Sequence, residues 1–254
     1  MKCARYYQHV VFTVCLILAP IVLLSAEEMV PLKIGYPPRV AHNGPVLQLT
    51  STNVDYYEEA GPDFGGFKPP VALMVPIGTT NVALHKPVTS STGTKYLYAN
   101  LPYIREHPTE ISKYAPTNLD WITGGNKASL AGINMDFLQA GIRNQWIQID
   151  LGAEVNIYAV AVWHCYFMQY TVVNDVVVQI CDKPEFQENV STIFNNDTKN
   201  ELGLGAGKDR LYCETRWGKL IDAHGITGRY VRLYSNGCNF GKSNYYLQVE
   251  VYGK

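Results

Sequence analysis

Short segments in which apolar and polar residues alternate follow one another from about residue 79 to the end of the chain, and they constrain the fold most. The inward positions of the clearest segments are Ile147, Ile149 and Leu151, then Val231 and Leu233, then Leu247, Val249 and Val251. The outward positions of the last two segments are Tyr230, Arg232 and Tyr234, then Gln248, Glu250 and Tyr252. Successive side chains of a strand point to opposite faces, so this period of two predicts strands with one buried face.

Two further segments, residues 157–163 and 175–180, are rich in β-branched residues and are bounded by polar turns. Such segments favour strands. No segment shows a sustained period of 3.6 residues, so helices are not expected between the strands. Many short strands without intervening helices predict an all-β fold in which two antiparallel sheets pack as a sandwich.

The first 26 residues have the order of a secretory signal peptide. Lys2 and Arg5 precede an apolar run at residues 10–24, and the small residues Ser25 and Ala26 follow it. We therefore expect residues 1–26 to be removed on export. A membrane span needs about 20 residues, so a retained anchor is the weaker alternative. The prediction is a secreted or extracytoplasmic protein with no membrane span after signal cleavage.

Residues 27–78 contain eight prolines and show no sustained period. Proline fixes φ and removes a backbone donor, so long ladders or helices are not expected here. The segment is predicted to be an extended linker, or a strap on the surface of a domain formed by residues 79–254.

The composition excludes several classes of partner. Hydrophobic residues make up 47% of the chain and charged residues 17%, which is enough apolar material for a sizeable core. The formal net charge is −1, and no polybasic run is present. We therefore expect neither a nucleic-acid partner nor electrostatic attachment to an anionic membrane.

Catalytic motifs are absent from the sequence. It contains neither a Gly-x-Ser-x-Gly elbow nor a His-Glu-x-x-His pair. Residues 203–208 are rich in glycine, but Leu202 stands where a phosphate loop needs its first glycine, and Asp209 follows the lysine. These observations predict a binding protein and not an enzyme.

Four blocks of sequence resemble one known family. They are Asn-Val-Ala-Leu-His-Lys-Pro at residues 81–87, Trp-Ile-Gln-Ile-Asp-Leu-Gly at 146–152, Arg-Tyr-Val-Arg-Leu-Tyr at 229–234 and Val-Glu-Val-Tyr-Gly at 249–253. In this order they resemble the coagulation-factor 5/8 type C, or discoidin, domain, and residues 157–221 resemble a secreted bacterial subgroup. The resemblance implies a galactose-binding-domain-like jelly roll of about eight strands with neighbouring termini. Relatives bind galactose-type sugars, other glycans, phospholipid head groups or proteins in loops at one end.

The resemblance also bears on metal. Calcium-binding members carry an aspartate where this chain has Gly124 and a glutamate where it has Gln248. Calcium affinity falls with the number of charged ligands. We therefore expect no cofactor, and a structural calcium ion only if carbonyl oxygens suffice to hold it.

Two loops are candidates for the ligand site, because sugar binding needs aromatic faces together with fixed donors and acceptors. Packing at the end of the sandwich is the alternative role for their aromatic residues. The candidate ligand-binding residues are His164, Tyr166, Gln169, Tyr170 and Asn174 in the first loop, and Asn239, Phe240 and Asn244 in the second. The predicted partner is a glycan or glycoconjugate, bound in adhesion or attachment. The alternative function is a protein-interaction or structural accessory domain.

After signal cleavage four cysteines remain, namely Cys165, Cys181, Cys213 and Cys238. They contain no C-x-x-C pair, which disfavours a zinc site, and their pairing stays open among three connectivities or free thiols. The family pattern implies that the loops carrying Cys165 and Cys238 lie at the same end of the sandwich. These two residues are therefore the disulfide candidates.

Overall fold

The structure is a computed structural model, and it describes residues 27–36, 54–55, 70–92, 97–98, 119–125, 138–164, 171–215, 217–239 and 241–254. Its regular elements in these ranges are strands, together with one 3₁₀ turn at Leu119–Thr123. In the part of the chain described, no helix is long and apolar enough to cross a membrane.

The strands are short in the first half of the chain and long in the second. In chain order they are β1 (Met29–Pro31), β2 (Val54–Asp55), β3 (Met74–Pro76), β4 (Thr80–Asn81), β5 (Val88–Ser90), β6 (Leu97–Tyr98), β7 (Leu138–Ile142), β8 (Asn144–His164), β9 (Val177–Cys181), β10 (Ser191–Asn195), β11 (Leu211–Tyr212), β12 (Lys219–Asn236) and β13 (Ser243–Gly253).

Two long strands, β8 and β12, connect the two layers of the sandwich. The first half of β8 pairs with β5 and with the second half of β12, and β9 and β10 extend this layer. The second half of β8 pairs with the first half of β12 and with β13, which also pairs with β4 and β7. Register shifts interrupt β12 between Asp222 and Ile226 and between Gly228 and Tyr230, where the strand passes from one layer to the other.

Apolar side chains from both layers form the main core. It includes Ile147, Ile149 and Leu151 from β8, Val178 and Ile180 from β9, Val231 and Leu233 from β12, and Val249 and Val251 from β13. These inward positions agree with the alternation in the sequence. The predicted all-β fold, a two-sheet antiparallel jelly-roll sandwich, is confirmed.

One predicted inward residue, Leu247, lies on the opposite face. The register of β13 against β8 shifts between Tyr246 and Gln248, so Leu247 sits in a bulge. An extra residue in a strand reverses the alternation before it. As a result Tyr246 joins the main core, and Leu247 packs in a second apolar cluster on the outer face of the sheet.

The second cluster lies beneath a hairpin formed by the proline-rich segment. Strands β1 and β3 pair antiparallel, with Val30 opposite Val75. Leu32 and Val75 from the hairpin are buried against the outward side chains of β8 and β13, which are Ala159, Ala161, Trp163, Leu247 and Tyr252. In these described parts, residues 27–78 therefore add a third layer to the domain.

The two ends of the sandwich differ. At one end, Gly253 of β13 pairs with Thr80 of β4, so the two ends of the sandwich segment are adjacent. At the other end, Asn236 of β12 pairs with Asn144 of β8. We call the second end the loop end.

Candidate functional site

The two predicted ligand loops meet at the loop end. The backbone N–H of Asn174 donates to the carbonyl of Gly237 over 2.9 Å, and the N–H of Asn236 donates to the carbonyl of Asn174 over 2.9 Å. Val173 forms an antiparallel bridge with Cys238 between these bonds. The last residues of the first loop and the first residues of the second therefore form a short two-stranded ladder.

Asn239 extends this ladder with its side chain. Its Oδ1 accepts a hydrogen bond from the Val172 N–H at 2.9 Å, and its own N–H donates to the Val172 carbonyl at 3.0 Å. Asn239 is exposed at the surface. It therefore lies where a ligand could reach it, while its amide oxygen helps to fix the loop.

Asp175 and Asn236 form a polar pair at the rim of this end. Asn236 Nδ2 donates to Asp175 Oδ2 over 2.8 Å, and both residues are partly exposed. Asp175 has φ near 52°, the left-handed region that asparagine and aspartate tolerate best among residues other than glycine. Partial burial is the main cause that raises the pKa of the Asp175 carboxyl above its usual value, and the hydrogen bond from Asn236 opposes it.

Asn244 lies beneath the loops and not at their surface. Its Oδ1 accepts from the Gly237 N–H at 2.7 Å, and its Nδ2 donates to the Arg143 carbonyl at 2.6 Å. The residue is buried. Its amide thus connects the loop after β12 to the turn between β7 and β8, so in this conformation it supports the loop and presents no surface to a ligand.

His164 is also buried. Its Nδ1 lies 2.7 Å from Glu214 Oε1, and the two side chains are 1% and 0% exposed. The ring of Tyr246 lies 4.6 Å from the His164 ring, and the Tyr246 hydroxyl hydrogen-bonds Ser235 Oγ at 2.9 Å. Burial is the main cause that raises the pKa of the Tyr246 hydroxyl. The structure therefore places the predicted ligand residue His164 inside the end of the sandwich.

The remaining predicted site residues, Tyr166, Gln169, Tyr170 and Phe240, lie outside the described residues, and their role stays a prediction. Cys165 lies outside them as well. Its proposed disulfide partner Cys238 is a buried free thiol in the structure, as are Cys181 and Cys213. Cys238 packs in the main apolar core, which accounts for a thiol at this position.

Several residues of this end were missed in the sequence. The segment 175–180 predicts a strand that begins at Asp175, whereas β9 begins at Val177. Asn236 is the last residue of β12, and no sequence pattern marks its side chain as part of a site. Glu214 stands between Cys213 and Thr215 without any periodic signal. Asp175 directly follows Asn174 of the first loop, and this position is the one feature of the sequence that points to the rim pair of Asp175 and Asn236.

Calcium-binding members of the resembled family carry carboxylates at two positions, and the residues at these positions in this chain are poor calcium ligands. Gln248 is buried, and its Nε2 makes a long contact of 3.4 Å to the Val249 carbonyl. Gly124 supplies no side-chain oxygen, and its N–H donates to Trp121. Among the described residues no group of three or more His, Cys, Asp or Glu is placed to hold a metal ion. Calcium binds best where several carboxylates converge.

Comparison with known proteins gives likeness to solved structures only. No protein-family model matches the chain, and no curated protein matches it significantly. A chitosan-binding module of a Paenibacillus sp. IK-5 chitosanase/glucanase is 15% identical with a TM-score of 0.38, over 68% of this chain and 99% of the module. A Streptococcus pneumoniae fucose-binding module is 16% identical with a TM-score of 0.42, over 68% and 97%. A fucolectin from striped bass (Morone saxatilis) serum is 18% identical with a TM-score of 0.40, over 69% and 49%.

Proposed function

We propose that this chain is an exported, non-catalytic carbohydrate-binding module of the discoidin type, and that it binds a glycan at the loop end. The observation that carries the proposal is the ladder between the two predicted ligand loops, through Val172, Asn174, Gly237 and Asn239. It brings amide and carboxylate groups from both loops to one rim.

The chemistry of this rim suits hydroxyl groups. The amides of Asn174, Asn236 and Asn239 and the carboxylate of Asp175 are planar groups that donate or accept hydrogen bonds in fixed directions. Loops held by a ladder before binding lose less conformational freedom when a ligand arrives, which lowers the cost of association. The proposed role is attachment to a glycan or glycoconjugate outside the cell.

A glycan array tests the proposal. We expect the purified protein to bind a defined set of glycans, and Asp175→Ala and Asn239→Ala to weaken every signal. The matched control is Asn156→Ala, because Asn156 is exposed near the opposite end, where it bonds Thr227 and Lys254. Binding that Asn156→Ala weakens as much as Asp175→Ala, or no binding to any glycan, would contradict the proposal.

A protein-interaction function is the second candidate, and the outer side of the β1–β3 hairpin favours it. Met29, Val71, Met74 and Ile77 lie on or beside this hairpin and are 46%, 89%, 54% and 50% exposed. Several exposed apolar side chains close together are typical of contact surfaces for other proteins. A wild-type protein that binds no glycan but retains a co-purifying protein partner, which a Met74→Ser and Ile77→Ser double variant loses, would favour this second function.

A further inference from the structure

Asn236 and Gly237 form an Asn-Gly dipeptide where the second loop leaves β12. An asparagine followed by glycine is especially prone to deamidation, because glycine has no side chain to hinder attack of its backbone nitrogen on the asparagine carboxamide. The reaction needs a Gly237 nitrogen that has lost its proton and an Asn236 side chain that can turn toward it. The contacts of these two residues determine whether the folded protein meets either requirement.

The fold requires glycine at position 237. Gly237 has φ near 74°, a conformation that glycine adopts without strain. A Cβ atom at this position would lie 2.7 Å from the carbonyl oxygen of Gly241 and 2.9 Å from Cα of Lys242. These are backbone atoms of the same loop, so they cannot turn aside as the end of a side chain could. The reactive dipeptide is therefore built into the second loop.

Asn244 restrains the attacking nitrogen. The Gly237 N–H donates to Asn244 Oδ1 over 2.7 Å, and Asn244 is itself buried, with its Nδ2 donating to the Arg143 carbonyl over 2.6 Å. An amide in a buried hydrogen bond releases its proton only when that bond opens. Asn244 therefore keeps the Gly237 nitrogen protonated and unreactive while the loop is closed.

Asp175 and Asn174 restrain Asn236. The side-chain Nδ2 of Asn236 donates to Asp175 Oδ2 over 2.8 Å, and its backbone N–H donates to the Asn174 carbonyl over 2.9 Å. The carboxamide carbon can turn toward the Gly237 nitrogen only after the bond to Asp175 breaks. The rim pair is thus a second restraint on the same reaction.

We propose that Asn236 is a modification site: its side chain is deamidated when the loop end opens, and Asn244 and Asp175 hold this reaction back. The Gly237 nitrogen loses its proton and forms a bond to Cγ of Asn236. The bond from Cγ to Nδ2 breaks, and Nδ2 leaves with a proton as ammonia. Water then opens the cyclic imide and leaves aspartate or isoaspartate at position 236. Water is the one co-reactant, and the inference does not depend on glycan binding.

The product would place a carboxylate where Asn236 now donates a hydrogen bond. Asp175 Oδ2 would then face a negative group in place of a donor at 2.8 Å. Burial, and after it the charges of Asp197 and Glu201, already raise the pKa of the Asp175 carboxyl, while the bond from Asn236 and the charge of Lys199 lower it. A further negative charge is therefore unfavourable here. Deamidation is expected to open the ladder between the two loops.

Peptide mass spectrometry of the wild-type protein tests the site. We expect deamidation of Asn236 at neutral pH to be at least about tenfold slower in the folded protein than in urea. The second Asn-Gly dipeptide of the chain, Asn43-Gly44, is the reference, and in urea both asparagines should react at similar rates. Equal rates for Asn236 in the folded and the unfolded protein, or no reaction of Asn236 in urea, would overturn the proposal.

Substitution of Asn244 tests the first restraint. We expect Asn244→Ala to accelerate deamidation of the folded protein by about two- to tenfold, because it removes the acceptor of the Gly237 N–H. Asn156→Ala, near the opposite end, is the control and should leave the rate unchanged. Hydrogen exchange of the Ile180 amide should stay as in the wild type. An unchanged rate of deamidation, or equal acceleration of exchange at Ile180, would refute the restraint by Asn244. If Asn244→Ala does not fold, Asp175→Ala tests the second restraint by the same measurements and against the same outcomes.

Asn236→Asp reproduces the deamidated side chain and tests its effect on the ladder. We expect the amides of Asn174 and Asn239, which donate across the ladder, to exchange about tenfold faster in this variant. The matched control is Asn189→Asp, because Asn189 is exposed in the connection between β9 and β10 and has a similar φ of 54°. Exchange at Asn174 and Asn239 that is unchanged in Asn236→Asp, or equally fast in Asn189→Asp, would contradict the predicted opening.

Discussion

The side-chain amide of Asn239 accepts a hydrogen bond from the backbone of Val172, and its own backbone N–H donates to the carbonyl of the same residue. Asn239→Ala removes the first of these bonds and should lower the free energy of unfolding by about 0.5–1.5 kcal/mol. Asn239→Asp retains the acceptor oxygen and should cost less. Urea denaturation of the three proteins measures both differences. Equal losses in the two variants would show that the acceptor at this position contributes nothing.

The Asp175 carboxyl connects stability to function at the rim. Its pKa is raised, mainly by burial, so the folded state favours its neutral form and the ionised form destabilises the fold above the raised pKa. Asp175→Asn should therefore be more stable than the wild type at neutral pH, with the difference disappearing as the pH falls below the ordinary value of 3.8. Asparagine also tolerates the positive φ of this position. Urea midpoints at pH 7 and pH 3 measure the effect, with the exposed Glu185→Gln as control. A variant less stable at pH 7 would contradict this assignment.

The ion pair of Asp150 and Arg229 should show the opposite dependence on pH. Arg229 donates to both carboxylate oxygens, over 2.7 and 2.9 Å, and this hydrogen bonding is the main cause that lowers the Asp150 pKa below 3.8. A lowered carboxyl pKa contributes stability above 3.8, and that contribution is lost as the pH falls through the lowered value. Arg229→Gln should thus destabilise at pH 7 and approach the wild type in acid. Lys183→Gln, which breaks an exposed pair, should change little at any pH.

The fold could be predicted because the core residues follow the alternation of apolar and polar residues along each strand. Ile147, Ile149, Val231 and Leu233 point inward as their alternation requires. The bulge at Leu247 could not be read from the sequence, since the alternation continues through it and only the pairing with β8 reveals the extra residue. The direction of a side chain, inward or outward, also did not determine whether that side chain is buried. Arg232 points outward as predicted, yet it is buried with its guanidinium 4.4 Å from the Trp146 ring and 4.0 Å from the Phe186 ring.

The sequence predicts that the two candidate loops lie at one end, but it does not predict which of their side chains reach the surface. The loops carrying Asn174 and Asn239 do meet at one end. Whether a polar residue near a loop lies at the surface depends on partners far away in sequence, and His164 is buried by Glu214, which is 50 residues later. Asn244 is likewise held through the carbonyl of Arg143, 101 residues earlier. A single sequence contains no signal for such pairs.

The hairpin of the proline-rich segment should contribute to stability without being required for the main core. The described members of that core begin at Ala83, whereas Leu32 and Val75 cover the second cluster. A protein that starts at Thr79 is expected to unfold cooperatively but to lose about 3–6 kcal/mol, the burial energy of two large aliphatic side chains. It should also self-associate, because Trp163 and Leu247 become exposed. Urea denaturation and sedimentation velocity measure the two effects. Aggregation without a cooperative transition would show that the hairpin is required for folding. Stability equal to that of residues 27–254 would show that the hairpin contributes nothing to the free energy of unfolding.

Removal of divalent cations should leave the protein unchanged. Gly124 and Gln248 provide no carboxylate, and a buried amide oxygen is a weaker ligand for calcium than the carboxylate it replaces. A site that binds only the folded state would contribute about 2.7 kcal/mol when calcium is present at 100 times its dissociation constant. For a domain of this size that energy corresponds to a shift in melting temperature of roughly 5–10 °C, at about 2–4 °C per kcal/mol. We therefore expect the melting temperature to agree within about 1 °C in excess chelator and in millimolar calcium, a window well below the shift that a saturated site would give.

Gln248→Glu, which restores one carboxylate, is the matched variant and should gain a calcium-dependent increase in melting temperature. A drop of several degrees for the wild-type protein on chelation would show that carbonyl oxygens alone hold the ion, and the absence of any calcium response in Gln248→Glu would place the family's metal position elsewhere in this chain.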